Sequence, residues 1–231
     1  MTETVVIAIN GAECTGKTAL AQALSSRLAE LTGQQCTWVP EQLRLWCDAQ
    51  GRTPRADEQM AIALTQEQTI DTAALTNDVV VCDTTPLMTA IYSRKLFNDN
   101  SIDAVALRVQ RRVHITLLTA LDIAWLADGL QRDGPQVREP VDTMLREFMQ
   151  THGLGWSVVT GHGAARLDKA LAAVAPLFAA RELSTPLGLF TRLDPTREAS
   201  APRPWSCECV DGDCEHRSLG NLFAARAKVK A

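Results

Sequence analysis

Along the chain, short apolar runs alternate with stretches in which apolar residues recur every three or four positions, and these two periods predict strands and helices in turn. TVVIAIN (4–10) is a β-branched run that stops at a glycine, and beyond it Leu20, Leu24, Leu28 and Leu31 recur at helical spacing. CTWVP (36–40) predicts a second strand ended by Pro40, and residues 56–76 a helix. DVVVCD (78–83) predicts a third strand, apolar on both faces as a buried parallel strand is. VHITLLTAL (113–121) and GWSVVTG (155–161) supply a fourth and a fifth. Strands alternating with helices predict an α/β fold in which a five-stranded, mainly parallel sheet is flanked by helices.

From Ser184 the texture changes. STPLGLFTRLDPTREASAPRPW holds four of the chain's ten prolines, which suits an extended arm. The expected organisation is one main domain over 1–183, followed over 184–231 by a Pro-rich arm and a Cys/His-rich, basic tail.

Composition narrows the class. A chain of 231 residues with 46% hydrophobic content can bury one good-sized core. Its net charge of −4 argues against a surface built to bind a polyanion, so nucleic acid is not the expected partner. No run approaches the ~18 apolar residues of a membrane span. The opening MTETVV lacks the basic-then-apolar order of a secretory signal, so a cytoplasmic location and no membrane partner are expected. Cys14, Cys36, Cys47 and Cys82 are scattered singly, as reduced thiols are.

The chemistry concentrates where strands end. Gly11-Ala12-Glu13-Cys14-Thr15-Gly16-Lys17-Thr18 lies between the first strand and its helix, so its backbone N–H groups can converge on phosphate oxygens at a helix N-terminus. Lys17 would reach the β- and γ-phosphates of a nucleotide, and Thr18 would offer its hydroxyl to Mg²⁺. Asp83 closes the third strand at the sheet edge where parallel α/β proteins bind ligands. There it could orient Mg²⁺ or accept a proton from an attacking hydroxyl; as a plain alternative it caps the helix announced by Thr84, Thr85 and Pro86. Glu41 follows the second strand at the same edge, with Arg44 one helical turn later and Trp46 as a stacking surface. They could read a polar substrate or form only a surface ion pair. Residues 122–142, rich in glycine, proline and charge, sit where a mobile cover would be attached, and Arg132 and Arg138 could neutralise a transferring phosphoryl group. Arg108, Arg111 and Arg112 precede the fourth strand, at the opposite sheet edge.

Read in order, GAECTGKT, VPEQLR, VCDTTPLMTAIY, DIAWLADGLQRDGPQVR and TGHGAARLDKAL make the chain resemble the ribosylnicotinamide-kinase-like domain of NadR and related P-loop ATPase/kinase proteins, over about residues 3–180. The resemblance implies a nucleoside-kinase-like fold, with the Asp83 strand beside the first strand. It implies transfer of the ATP γ-phosphate to the hydroxyl of a nucleoside-like acceptor; in NadR members that acceptor is nicotinamide riboside. On this likeness Lys17 and Thr18 hold ATP and Mg²⁺, and Asp83 sits beside the acceptor hydroxyl. Glu41 and Arg44 lie near the acceptor, Arg132 and Arg138 belong to a lid, and Gly161 to Arg166 lie by the adenine. No helix-turn-helix or nucleotidyltransferase segment precedes the kinase-like part, so the multifunctional NadR arrangement is not expected. With 5% aromatic residues, Trp46, Tyr92 and Trp125 are the main candidates to stack on an acceptor ring.

In the tail, Cys207, Cys209, Cys214 and His216 form C-x-C-x4-C-x-H. The donors suit a tetrahedral Zn²⁺ site, but the single-residue spacing is unusual for zinc and leaves a redox or iron–sulfur role, or unliganded thiols, open as alternatives. The expectation for the whole chain is an ATP·Mg²⁺-dependent small-molecule kinase. The alternative is a regulatory ATPase whose tail contacts a protein or nucleic acid. Oligomeric state is not readable from the sequence.

Overall fold

The structure, a computed structural model, describes residues 3–126 and 134–179. The expected elements form, with shorter strands: β1 (Val5–Asn10), β2 (Cys36–Val39), β3 (Val79–Asp83), β4 (Ile115–Thr119) and β5 (Ser157–Val159). All pairings are parallel, in the order β2-β3-β1-β4-β5. β1 therefore lies at the centre with the Asp83 strand beside it. The register sets Ile9 against Asp83, Asn10 against Leu118 and Val39 against Cys82, which brings the carboxyl ends of four strands to one edge.

The alternating side chains of the central strands divide the core. Val5, Ile7, Ile9, Val79 and Val81 face α1 (Lys17–Thr32) and α7 (Gly163–Ala179), meeting Leu20, Leu24, Leu28, Val174 and Phe178. On the other face Val80 and Cys82 meet Ile70 and Val109, and Leu118 packs with Leu87, Ile91, Val141 and Leu145. That face carries α3 (Ala56–Ala74), α4 (Pro86–Phe97), α5 (Asp103–Gln110) and α6 (Arg138–Thr151). α2 (Gln42–Gln50) packs on α3, above the edge of β2.

The loop between 122 and 142 is not wholly irregular. A 3-10 turn at Pro135–Val137 leads into α6, so Arg138 opens a helix. It is 7% exposed. Arg132 lies outside the described residues, as do the arm, the tail and its Cys207, Cys209, Cys214 and His216.

Candidate functional site

The glycine loop is held from below by β4. Gly11 has φ +150°, and a Cβ there would sit 2.1 Å from Thr119 Oγ1, so only glycine lets the loop pass the strand end. Thr119 and Thr15 share a hydrogen bond of 2.7 Å, while Thr15 donates to Ala12 O at 2.8 Å. Cys14, in the left-handed region at φ 55°, accepts from Leu126 N–H at 3.1 Å and lies 3.6 Å from Ala124 O. Gly16, at φ +74°, caps α1, whose free N–H groups then point into the loop. Lys17 Nζ donates to Ala12 O at 2.9 Å, holding its ammonium over the loop. Such a cradle offers backbone donors, a helix terminus and a cation to one anion.

Asp83 is 1% exposed, and its Oδ2 accepts the Thr18 hydroxyl at 2.6 Å. It does not cap α4: Thr85 is the N-cap, Pro86 follows at the first helical position, and Asn10 Oδ1 accepts the Thr85 N–H at 3.2 Å. Thr84, in left-handed backbone at φ 67°, turns the chain between them. Burial pushes the Asp83 carboxyl above its ordinary value, opposed by the Thr18 hydrogen bond and the charges of Lys17 and Arg44. Its Oδ1 is buried without a hydrogen-bond partner among the described residues. A paired hydroxyl and carboxylate with one orphaned oxygen fit a hard, oxygen-seeking cation such as Mg²⁺. No cluster of three or more His, Cys, Asp or Glu suited to a metal occurs among the described residues.

A cleft of about 700 Å³ opens from this loop. Its floor is Glu13 to Ala19, and three helices give it walls: Glu41, Leu43, Arg44 and Cys47 around α2, Gln59 on α3 with Arg55 at its N-cap, and Tyr92, Leu96 and Phe97 on α4. Spacings of three or four residues, Glu41 to Arg44, Leu43 to Cys47, Arg55 to Gln59 and Tyr92 to Leu96, put these residues on the helical faces toward the cleft. Burial pushes Glu41 upward in pKa, the Lys17 charge opposes it, Asp83 reinforces it and Arg44 opposes it. Those mutual influences place the two carboxylates and two cations in one neighbourhood.

Glu41, Arg44 and Tyr92 thus join the loop in one cleft. Trp46 does not line it: its ring lies under the Arg52 guanidinium at 4.8 Å, and Arg52 is bidentate to Glu58 at 2.7 and 2.8 Å, an arrangement that fixes the α2–α3 connection. Trp125 and Arg138 do not line it either. Arg166, 3% exposed, is turned inward, donating to Asp122 at 3.0 Å, Gly161 O at 2.6 Å and Ala120 O at 3.3 Å, so it fastens the loop after β5 to the exit of β4. Arg108 and Arg112 pair with Glu67 on α3, away from the cleft.

Gln59, Arg55, Thr119, Leu96 and Phe97 escaped the sequence reading. A polar residue inside an amphipathic helix looks the same whether it meets solvent or a pocket. Only Thr119 carried a usable signal, as the last residue of a strand directly beside the glycine strand.

A family model described as an AAA domain matches residues 6–166. No curated protein matches the chain. Among solved structures, NadR protein in complex with NR aligns with 17% identity and a TM-score of 0.60, covering 75% of this chain and 51% of that one. NadR protein in complex with NAD and AMP-PNP aligns with 16% identity and a TM-score of 0.56, covering 75% and 49%. The chain therefore spans about half the length of those NadR structures. Thymidylate kinase from Ehrlichia chaffeensis aligns with 16% identity and a TM-score of 0.50, covering 76% of this chain and all of that one. These similarities establish a P-loop, nucleoside- and nucleotide-kinase-like fold. No helix among the described residues is long and apolar enough to cross a membrane.

Proposed function

We propose, from the premise that the chain belongs to the AAA-domain family, that it transfers the γ-phosphoryl group of ATP to the hydroxyl of a nucleoside-like small molecule. The observation that carries this reading is the continuity of the phosphate loop with a cleft of about 700 Å³. That volume suits a small-molecule ligand, and a switch that only hydrolyses nucleotide has no need of an acceptor-sized hollow beside Lys17.

In this reading the loop from Gly11 to Thr18 binds the phosphates, and Lys17 moves from Ala12 O to the transferring group, where charge develops. Thr18 and Asp83 would hold Mg²⁺, which when bound supplies charge neutralisation at the phosphate oxygens. Asp83 is committed to Thr18 and does not line the cleft, whereas Glu41 does. We therefore assign to Glu41 the proton of the acceptor hydroxyl as its oxygen bonds to phosphorus and the bond to ADP breaks. Arg44 beside it steadies the carboxylate, and Tyr92 offers the acceptor an aromatic face.

The test is a panel of nicotinamide riboside, deoxynucleosides and nucleoside monophosphates incubated with ATP·Mg²⁺ and read by mass spectrometry. A phosphorylated acceptor, with transfer reduced about 10²- to 10³-fold in Lys17→Ala, is the expected result. Hydrolysis of ATP with no acceptor phosphorylated would replace this reading with that of a regulatory ATPase.

A further inference from the structure

We infer that Gln59 is the residue that selects the acceptor, reading an amide-like edge, a hydrogen-bond donor beside an acceptor, on the acceptor's ring. The inference rests on the cleft being the acceptor site.

Gln59 lines the cleft yet is only 2% exposed. Its Oε1 is buried with no hydrogen-bond partner among the described residues. The other buried glutamine on this helix, Gln66, is fully used in the fold: it accepts the Gln42 N–H at 2.7 Å and donates to Pro40 O at 3.3 Å. Gln59 has no such employment, and a carboxamide oxygen left unpaired in a buried position costs about 1–3 kcal/mol, which a ligand donor would recover. Arg55, one turn earlier on the same face, is held by Asp57 and Glu58. The uncommitted polar group on the α3 wall is therefore neutral, and it faces a cleft whose α4 wall, Tyr92, Leu96 and Phe97, suits a flat ring.

A carboxamide presents a donor and an acceptor side by side, whichever way its oxygen and nitrogen are assigned. Its complement is a planar group with the same pair: a ring carboxamide, or the edge of a nucleobase. A bidentate pairing of this kind discriminates by about 10- to 100-fold. An acceptor ring without the edge would leave Gln59 unpaired and bind correspondingly less well.

The experiment uses the full chain and titrates paired ligands by calorimetry: nicotinamide riboside against pyridinium riboside, and adenosine against purine riboside. Transfer to each is measured separately. Wild-type protein should bind at least one amide-edged member about 10- to 100-fold more tightly than its partner, and Gln59→Met should reduce that ratio to within about threefold of unity. A lost side chain that merely loosened the helix would weaken both members together and leave the ratio unchanged. Should Gln59→Met not fold, Gln59→Glu keeps the shape and removes the amide donor, and it should cut the same ratio at least tenfold. Equal wild-type affinity within every pair, an unchanged ratio in the variant, or no nucleoside binding at all would overturn the assignment. Intact discrimination without phosphoryl transfer would support the role of Gln59 while removing the kinase reading.

Discussion

Gly11 and Thr119 meet so closely that each determines what the other can be. Gly11→Ala places a methyl group on the Thr119 hydroxyl at a φ of +150°. It should lower stability by about 2–4 kcal/mol in urea titration. Thr119→Ala added to it should restore part of the loss, because the contact with the hydroxyl disappears while the backbone strain and the 3.2 Å approach to Thr119 O do not. Glu41 offers a second test. A proton acceptor acts only when ionised, and burial raises its pKa, so acceptor kcat/KM should rise with pH through a limb displaced above the ordinary carboxylate range. Since the Arg44 charge lowers that pKa, Arg44→Gln should move the limb to still higher pH. Glu41→Gln should remove the limb and about 10²- to 10⁴-fold of the rate. The sequence could single out Lys17 and Thr18 because they open the helix after the glycine loop, and Asp83 and Glu41 because they close or follow a strand at the sheet edge. Gln59 could not be singled out, because its meaning depends on what the opposite helix fails to offer it.

Elements were legible where their hydrophobic period was long or their stop signal sharp. α5 was missed because eight residues are too few to show a helical period, and the start of α6 because charge and proline dominate that stretch. Trp46 was misjudged for a different reason: a stacking surface in the sequence carries no record of what will stack on it, and here Arg52 does. The ion pair behind that arrangement is testable. Glu58 accepts the Arg55 N–H at 2.8 Å as well as both Arg52 contacts, and these hold its pKa down at about 2 from 4.5. The unfolded chain thus takes up the proton first as pH falls. The stability owed to Glu58 is complete above pH 4.5 and lost toward about 2. The difference in urea midpoint between wild type and Glu58→Gln should therefore be constant near neutrality and narrow below pH 4.5. Arg166→Leu tests the other junction. It leaves the Gly161 and Ala120 carbonyls without the Arg166 donors and Asp122 with only the Gly161 N–H, and should cost about 2–4 kcal/mol by the same titration.

For the whole molecule, alternation of strand and helix predicted the class, and the apolar character of VVVC predicted that β3 would be interior. The order of strands could not come from periodicity, which is local; the resemblance implied only that the Asp83 strand lies beside the first, and the order β2-β3-β1-β4-β5 places it there. That order has a consequence for how the protein is made. β1 is made before the other four strands of its sheet, and it hydrogen-bonds to β3 from Val5 opposite Val79 and to β4 from Ile7 opposite Ile115. Its neighbours are synthesised after about seventy and about a hundred further residues, and ordering them requires closing both long loops before any pairing repays the entropy. The nascent chain must therefore carry the apolar VVIAIN with both edges unpaired until β3 emerges, and with one edge unpaired until β4 does. Over that interval the future centre of the sheet is the segment most in need of protection from other chains.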